Sequence, residues 1–332
     1  MASLNQEFGI RRVYEAESRN ASGVALKLSD REVDLGSKEY ALYQKLAEEV
    51  PGIRGEKEIA ADLGMSEPQL RRLLQAFASA GLFYRADTIP KTLSGVELHT
   101  LFNKVLPSWL NEAFSHPFWD KMMSGKGSRR LYSGWLIELY HYTRNANRHM
   151  PLSCAHTAEK KIKGMRAKHY AEEWNHYHYF LKALKALGFS GESIEGSVPL
   201  PMTLALSNFM RQAAREDIVS YSICSAVLEG TTVDRGAYNP YYETCAKLYD
   251  LPQESIAPIY AHLDLDVQYQ HSDLFLDILS TIESMPAARA GRALEYGHQL
   301  IEHIWLWTDS IDKYYAIDGN SIPRPAFSQA LD

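Results

Sequence analysis

Cysteine is scarce in this sequence. The 332 residues include three cysteines, Cys154, Cys224 and Cys245, and no Cys-x-x-Cys pair. An odd number of cysteines without that spacing argues against a disulfide framework and against a structural zinc site. Because disulfides form in oxidising compartments, we expect reduced thiols in the core of a cytoplasmic protein.

Long apolar runs and an excess of positive charge are also missing. No stretch approaches the roughly 18 apolar residues that cross a bilayer, and the N-terminal segment has no apolar region of signal-peptide length. The formal net charge is −6, whereas nucleic-acid binding requires a basic surface. We therefore expect no membrane and no nucleic acid among the partners.

The length of the chain is sufficient for two domains, and the residue pattern changes near Pro90. In residues 1–90, apolar alternation predicts strands near 24–28 and 31–35. Helices are predicted near 38–50 and 56–63, and a third follows a capping box at Ser66 and Gln69. A last strand is predicted near 82–84. Residues 1 to about 22 have no clear periodicity.

Residues 91–332 show helical periodicity almost throughout, with proline and glycine mainly between the segments. The fold class predicted is therefore mainly α, a helical bundle after a small α/β domain. The predicted helices span about 93–123, 128–149, 156–187, 202–213, 215–233, 238–249, 253–283 and 287–316.

Two pairs of side chains in the helical region have the spacing of metal ligands. Glu173 and His176 are three residues apart, the Glu-x-x-His spacing with which bundle proteins ligate iron. His262 and Asp266 are four apart and share a helix face. Imidazole and carboxylate suit Fe(II) and leave positions open for substrate and oxygen. Each pair alone is also typical of a polar helix surface, but together they favour a metal site.

A third element is Glu229, which ends a segment that is apolar on most sides. A carboxylate at the end of an internal helix needs a cation or a good hydrogen-bond donor nearby. A bridging role between two metal ions would satisfy it, and a frayed helix end beside Gly230 is the plain alternative. Glu138 and His141 repeat the Glu-x-x-His spacing. They are interpreted as lining the pocket or contacting the metal ligands, and an ordinary amphipathic face is the alternative.

This ordered set of motifs resembles the haem-oxygenase-like non-haem di-iron oxidases and oxygenases. The Glu-x-x-His spacing is closest to that of the undecene-forming fatty-acid decarboxylase. The resemblance covers about residues 95–316 and implies a seven-helix haem-oxygenase-like fold without haem. It also implies two Fe(II) ions, with O2 as co-substrate. By motif match, Glu173 and His176 would bind one iron and Glu229 would bridge. His262 and Asp266 would complete the set.

One position departs from the family pattern, which reads His-x-x-x-Asp-x-x-His. The last histidine is replaced by Tyr269, and His271 follows two residues later. A one-residue π-bulge would return His271 to the metal face, because such bulges occur often at functional sites. We predict His271 as the ligand; the alternative has Tyr269 pointing inward at a weaker second site.

The N-terminal domain resembles the winged-helix peptide chaperone of pyrroloquinoline quinone synthesis and other leader-peptide recognition domains. Across residues 31–86 there are 8 Lys and Arg against 9 Asp and Glu, and Arg71 and Arg72 alone lie on the would-be recognition helix. This balance argues against DNA binding. Three uses stay open: binding a peptide or carrier protein, forming a homodimer interface, and packing against the bundle.

Three functions follow from these patterns. The first is an O2-activating di-iron oxidoreductase in natural-product biosynthesis. Its substrate would be a small carboxylate or amino-acid-derived metabolite, free or bound to a peptide or carrier. The second is a metal-free oxidase or hydrolase of the same fold, in which His176 and Glu173 act as acid and base. The third is a winged-helix regulator whose helical domain senses a ligand.

Overall fold

The chain divides into two units. One comprises Met1–Leu93 with Asn103–Ser108, and the other Ser94–Phe102 with Trp109–Asp332. The computed structural model describes residues 8–11, 13, 15–19, 23–28, 31–52, 54–85, 90–229, 235–269 and 271–326. Within these ranges, the side chains of residues 8, 15, 235–239, 266, 267, 271 and 272 lie outside the description.

The N-terminal unit combines short antiparallel strands with three helices. Strands β2, β3 and β4 form one sheet in that order, and β1 pairs with β5. The elements are β1 Phe8–Ile10, β2 Glu15–Arg19, β3 Gly23–Lys27, β4 Glu32–Gly36, α1 Ser37–Glu49, α2 Glu56–Asp62, α3 Glu67–Ser79, β5 Phe83–Arg85 and β6 Thr92–Leu93.

This unit has its own hydrophobic core, to which both strands and helices contribute. Leu26 of β3, Leu46 of α1, Ile59 of α2 and Leu70 of α3 are each at most 1% exposed and belong to one cluster. The capping box is confirmed: the Ser66 backbone N–H donates to Gln69 Oε1 at 2.7 Å, and α3 begins at the next residue. The winged-helix assignment itself stays a prediction.

Strands β1 and β2 lie where the sequence shows no periodicity. Strand β2 has the polar sequence Glu-Ala-Glu-Ser-Arg, and it pairs with β3 from Glu15 opposite Lys27 to Arg19 opposite Gly23. A strand at a sheet edge needs backbone hydrogen bonds but no alternation of apolar side chains. Charged residues there also discourage pairing with other chains. Hydrophobic periodicity therefore could not reveal this strand.

The second unit is built from helices, of which α4 also contributes its residues 103–108 to the first unit. They are α4 Gly95–Phe114, α5 Pro117–Met123, α6 Arg129–His156, α7 Lys160–Glu173, α8 Tyr177–Ala186, α9 Gly191–Glu195, α10 Pro201–Glu216, α11 Ile218–Glu229, α12 Arg235–Leu248, α13 Gln253–Gln268, α14 His271–Ser280 and α15 Ala287–Tyr315, with a short strand, β7 Met285–Pro286, before α15. Among the described residues, no helix is both long and apolar enough to cross a bilayer.

Helix α11 lies inside the bundle. Every residue from Ile218 to Val227 is buried, as expected for a helix that is apolar on nearly all sides. Its serines satisfy their hydroxyl groups locally, since Ser222 Oγ donates to the carbonyl of Ile218 at 2.7 Å. The last residue of the helix is Glu229, so a buried helix carries this predicted ligand.

Three long helices are joined by one buried carboxylate, Glu138 of α6. Its Oε1 accepts a hydrogen bond from Tyr315 Oη of α15 at 2.6 Å. Its Oε2 accepts from the Leu200 backbone N–H at 3.0 Å and from the Thr203 hydroxyl of α10. Burial raises the pKa of Glu138, and these three donors oppose the shift. Glu138 is therefore a structural link within the bundle rather than part of an amphipathic surface.

Several predicted helix ends differ from the structure. The segment predicted as one helix over 93–123 is divided before Pro117, where His116 Nδ1 accepts from the Phe118 backbone N–H at 3.1 Å and caps α5. Helix α6 continues past Pro151 to His156. Met150 and Ser153 are buried beside the proline, and their packing offsets the hydrogen bond that proline cannot make.

We predict that Gly134→Ala destabilises the bundle. A Cβ at Gly134 of α6 would overlap the Tyr315 ring, which is fully buried. Overpacking of this kind costs about 1–3 kcal/mol, measured as the free energy of unfolding in urea. The matched control is Gly291→Ala on α15, where a Cβ meets nothing within 4 Å. There the change should stabilise by about 0.5–1 kcal/mol. Equal effects at both positions would contradict the packing argument.

Candidate metal centre

A tight turn joins α7 and α8 and carries the Glu-x-x-His pair. Glu173 is the last residue of α7, and His176 immediately precedes α8. The His176 backbone N–H donates to the Glu173 carbonyl at 3.1 Å, and Tyr179 N–H donates to the His176 carbonyl at 3.0 Å. These hydrogen bonds span three residues, as in a 3₁₀ helix, in which side chains at i and i+3 eclipse one another. The turn therefore aligns the two side chains more closely than the predicted continuous α-helix.

The two side chains are in contact and largely shielded from water. His176 Nδ1 lies 2.9 Å from Glu173 Oε2, and the histidine side chain is 2% exposed against 14% for the glutamate. Helix α13 brings His262 to the same place: the His176 and His262 rings are 4.8 Å apart at an interplanar angle of 76°. One ligand atom each from Glu173, His176 and His262 lies within 4.8 Å of the others.

This trio fits a first-row divalent metal ion. Two imidazoles and one carboxylate are the donor types that Fe(II) takes, and three protein ligands leave coordination positions open. Phe180 and Tyr179 lie against His262, with ring centroids 5.3 Å and 5.9 Å away. Aromatic rings on one side of the cluster reduce access of water to it. The residues present thus suit a reactive rather than a purely structural ion.

Glu229 lies in a second polar cluster. Its Oε2 is 3.3 Å from His169 Nε2, and its Oε1 accepts a hydrogen bond from Ser225 Oγ at 2.7 Å. Glu229 is not in the group formed by Glu173, His176 and His262. The helix-end carboxylate therefore has a histidine and a hydroxyl as partners, and its bridging role stays a prediction.

The remaining predicted ligands are on α13 and α14. Asp266 is one turn after His262 on α13, and His271 is the first residue of α14. The side chains of both lie outside the described residues, as does Gln270 between the helices. Tyr269, the alternative to His271, is 36% exposed. This exposure does not favour the alternative in which Tyr269 points into the interior.

Two buried residues of α7 were not found by the sequence analysis, His169 and Arg166. Arg166 is 2% exposed; its Nη2 donates to Ser222 Oγ at 2.6 Å and its Nη1 to Ser225 Oγ at 3.3 Å. Because Ser225 then donates to Glu229, a single hydroxyl connects the guanidinium to the carboxylate. The signal was present: residues 166, 169 and 173 are spaced three and four apart and so share one helix face.

Burial strongly affects ionisable groups in this region. It lowers the pKa of Arg166, while Tyr221 and Glu229 oppose the shift. His149 of α6 contacts the same tyrosine, with Nδ1 2.9 Å from Tyr221 Oη. Burial lowers the pKa of His149 to about 3. His149 is therefore neutral at physiological pH.

A further trio, Glu112, His298 and Glu302, also brings ligand atoms together. Here His298 Nε2 is 2.8 Å from Glu112 Oε2, and its Nδ1 is 3.4 Å from Glu302 Oε1. The two nitrogens of an imidazole point away from the ring in different directions, and each nitrogen of His298 faces a different carboxylate. This geometry suits a link between α4 and α15 better than a shared ion.

Comparison with known proteins identifies both the family and the fold. Half of the chain, residues 133–298, matches a protein family described as iron-containing redox enzymes. A domain of unknown function with a haem-oxygenase-like fold from Shewanella denitrificans OS217 is 21% identical, with a TM-score of 0.57 over 69% of this chain and 98% of its own.

A TenA homologue from Pseudomonas syringae pv. tomato str. DC3000 is also similar. It is 15% identical, with a TM-score of 0.52 over 65% of this chain and 93% of its own. No curated protein matches the sequence. At these identities the likenesses show the fold alone, and they confirm the predicted fold class: mainly α and haem-oxygenase-like.

We predict that His149 makes stability fall with acidity. In the unfolded chain a histidine has a pKa near 6.5, whereas burial lowers that of folded His149 to about 3. Between these values only the unfolded chain binds the proton. The free energy of unfolding contributed by His149 is therefore present above about pH 6.5 and is lost at about 1.4 kcal/mol per pH unit below it.

The measurement is urea denaturation at pH 7, 6 and 5. His149→Gln keeps a hydrogen-bonding side chain beside Tyr221 and should show a shallower loss of stability with falling pH. His178→Gln, at an exposed histidine, should retain the pH dependence of the unmodified protein. An unchanged slope in His149→Gln would show that this group does not titrate as described.

Proposed function

This chain belongs to the family of iron-containing redox enzymes, and we propose that it is an O2-activating oxidoreductase with a non-haem centre of two Fe(II) ions. The observation that carries the proposal is the convergence of Glu173, His176 and His262 within 4.8 Å. These three side chains would hold the first ion. Bound iron would supply the site at which dioxygen is activated and negative charge on oxygen is stabilised.

Glu229 would bridge the two ions, and Asp266 and His271 would complete the ligand set at the second ion. Glu229 ends the buried helix α11 with a hydroxyl donor on one oxygen and an imidazole near the other, so its carboxylate is oriented. Asp266 is on the same helix as His262, four residues later. His169 lies 3.3 Å from Glu229 and could fix the orientation of that carboxylate, as side chains that contact metal ligands usually do.

The protein side chains would prepare the site for this chemistry. The short turn from Glu173 to His176 fixes two ligands relative to each other. Tyr179 and Phe180 cover His262 and limit water, which strengthens electrostatic interactions inside the site. Arg166 supplies a buried positive charge connected to Glu229 through Ser225. The guanidinium and the carboxylate attract each other electrostatically.

We propose a small carboxylate or an amino-acid-derived metabolite as the substrate. Hydroxylation, desaturation, N-oxygenation and oxidative carbon–carbon cleavage are reactions open to such a centre. The N-terminal unit, with its own core, could present the substrate bound to a peptide or carrier protein; homodimerisation and packing against the bundle are the other proposed uses.

A metal-free oxidase or hydrolase of the same fold is the second candidate, because His176 and Glu173 are in contact and could act as acid and base. The state of the cysteines does not favour a thiol nucleophile. Burial raises the pKa of Cys245 to about 11 and raises that of Cys224 further, and Cys224 is fully buried. Nucleophilic attack needs the thiolate, which these environments suppress.

We predict that the protein binds close to two ferrous ions per chain and that the trio is required. In anaerobic Fe(II) titration followed by metal analysis, His176→Ala and His262→Ala should each lose most of the tightly bound iron of the first site. His178→Ala removes an exposed histidine two residues from His176 and should bind iron like the unmodified protein. Exposure of the loaded protein to oxygen should consume O2 and change its absorbance.

The two candidates give different results. No iron binding and no oxygen uptake by the unmodified protein would rule out the iron proposal and favour the metal-free one. Equal iron loss in all three variants would show that binding is unspecific. Circular dichroism of each variant checks that the helices persist.

A further inference from the structure

One face of α6 presents a cluster of nitrogen-bearing side chains to a cavity. His141, Arg144, Asn145 and Arg148 follow one another at spacings of three, one and three residues and share this face. The cavity has a volume of about 410 Å³ and is bounded on other sides by α8 and by the segment that leads into α10. A volume of a few hundred Å³ is typical of sites for small metabolites.

The cavity wall is cationic. Arg144 and Arg148 line it, and none of the described residues that line it is an aspartate or a glutamate. Buried His141 adds no charge, since burial, together with the nearby charge of Arg144, lowers its pKa to about 4. Its Nε2 lies 2.9 Å from Ser197 Oγ, and that hydroxyl donates to the Ile194 carbonyl at 2.6 Å. His141 Nε2 therefore carries the hydrogen and donates to Ser197.

Arg144, Arg148 and Asn145 have hydrogen-bond donors that few or no protein groups occupy. Arg144 makes two long contacts, to Tyr140 Oη at 3.3 Å and to the Glu195 carbonyl at 3.5 Å. Within the described ranges, Arg148 and Asn145 have no hydrogen-bond or ion-pair partner, although Asn145 is half-buried. A polar side chain that is partly removed from water without a partner is costly, so a ligand that accepts hydrogen bonds would satisfy Asn145. Arg148 is exposed and can donate to the same ligand.

The opposite wall is less polar. Tyr177, Pro199 and Leu204 contribute a ring and two apolar side chains to the cavity. A bare inorganic anion would leave this wall unused. An organic molecule could place its acidic groups on the arginines and its body against Tyr177.

We propose that this cavity is a binding site for a small organic dianion, a metabolite with carboxylate or phosphate groups and a planar or apolar body. Guanidinium groups match both kinds of acidic group through paired hydrogen bonds. Arg144 and Arg148 are one helical turn apart, a spacing that lets one ligand contact both.

The site adjoins the turn that carries the candidate metal ligands. Asn147 lines the cavity and donates from Nδ2 to the Trp174 carbonyl at 2.8 Å. Trp174 follows Glu173 directly, and Tyr177 follows His176. A ligand in the cavity would thus restrain the turn from its cavity side. The proposal nevertheless requires no iron, and it does not depend on the reaction proposed above.

Calorimetric titration of the full chain at pH 7.5 and low salt tests the site. The probes are phenyl phosphate and isophthalate, two dianions with a planar body, and neutral benzamide as the uncharged comparison. We expect at least one dianion to bind and benzamide not to. Tighter binding of phenyl phosphate would indicate a phosphate-bearing ligand, and tighter binding of isophthalate a dicarboxylate. Raising the salt concentration should weaken the binding.

Variants locate the binding. Arg148→Gln and Arg144→Gln should each lower the affinity for the more tightly bound dianion by about ten-fold or more. This is the effect expected for the loss of a hydrogen bond to a charged group. Arg215→Gln removes an exposed arginine of α10 that does not line this cavity and should bind like the unmodified protein. All three arginines are exposed, so the variants should fold, and thermal unfolding checks this. Absence of binding by both dianions, or equal weakening by Arg215→Gln, would overturn the proposal.

Discussion

The position of the candidate metal centre depends on the turn between α7 and α8. Three-residue hydrogen bonds replace four-residue ones from Glu173 to Tyr179, and this change brings a carboxylate and an imidazole into contact at 2.9 Å. After the turn, α8 places Tyr179 and Phe180 beside the ring of His262. Helix α13 adds His262 to the pair that this turn holds together.

The sequence predicted most of the helices, because they follow from periodicity, and it predicted that Glu173 and His176 lie close together, because they are three residues apart. It did not predict the break at Trp174, since a 3₁₀ turn and an α-helix both place residues i and i+3 close together. It also missed β2, whose polar residues are held by backbone pairing. The spacing of Arg166 and His169 places them on the helix face of Glu173. Their burial and their partners could not be predicted, because spacing within one helix does not tell which other helix covers that face.

The bundle interior is organised around two buried ionisable groups as much as around apolar packing. Glu138 joins α6, α10 and α15 through three donors, and Arg166 joins α7 to α11 through two serine hydroxyls. A buried charge is costly unless it is hydrogen-bonded. Each of these residues therefore restricts the sliding of neighbouring helices past one another. Apolar side chains of similar size would restrict that sliding less, because they need no particular partner.

The hydroxyl group of Ser225 has only one hydrogen atom, and that hydrogen is directed toward Glu229. Its oxygen is consequently left to accept from Arg166. The dipole of this one group is thus oriented by its two neighbours, positive end to the carboxylate and negative end to the guanidinium. An alanine at this position would remove the hydroxyl dipole that lies between the guanidinium and the carboxylate. A threonine would keep a hydroxyl that can be oriented in the same way.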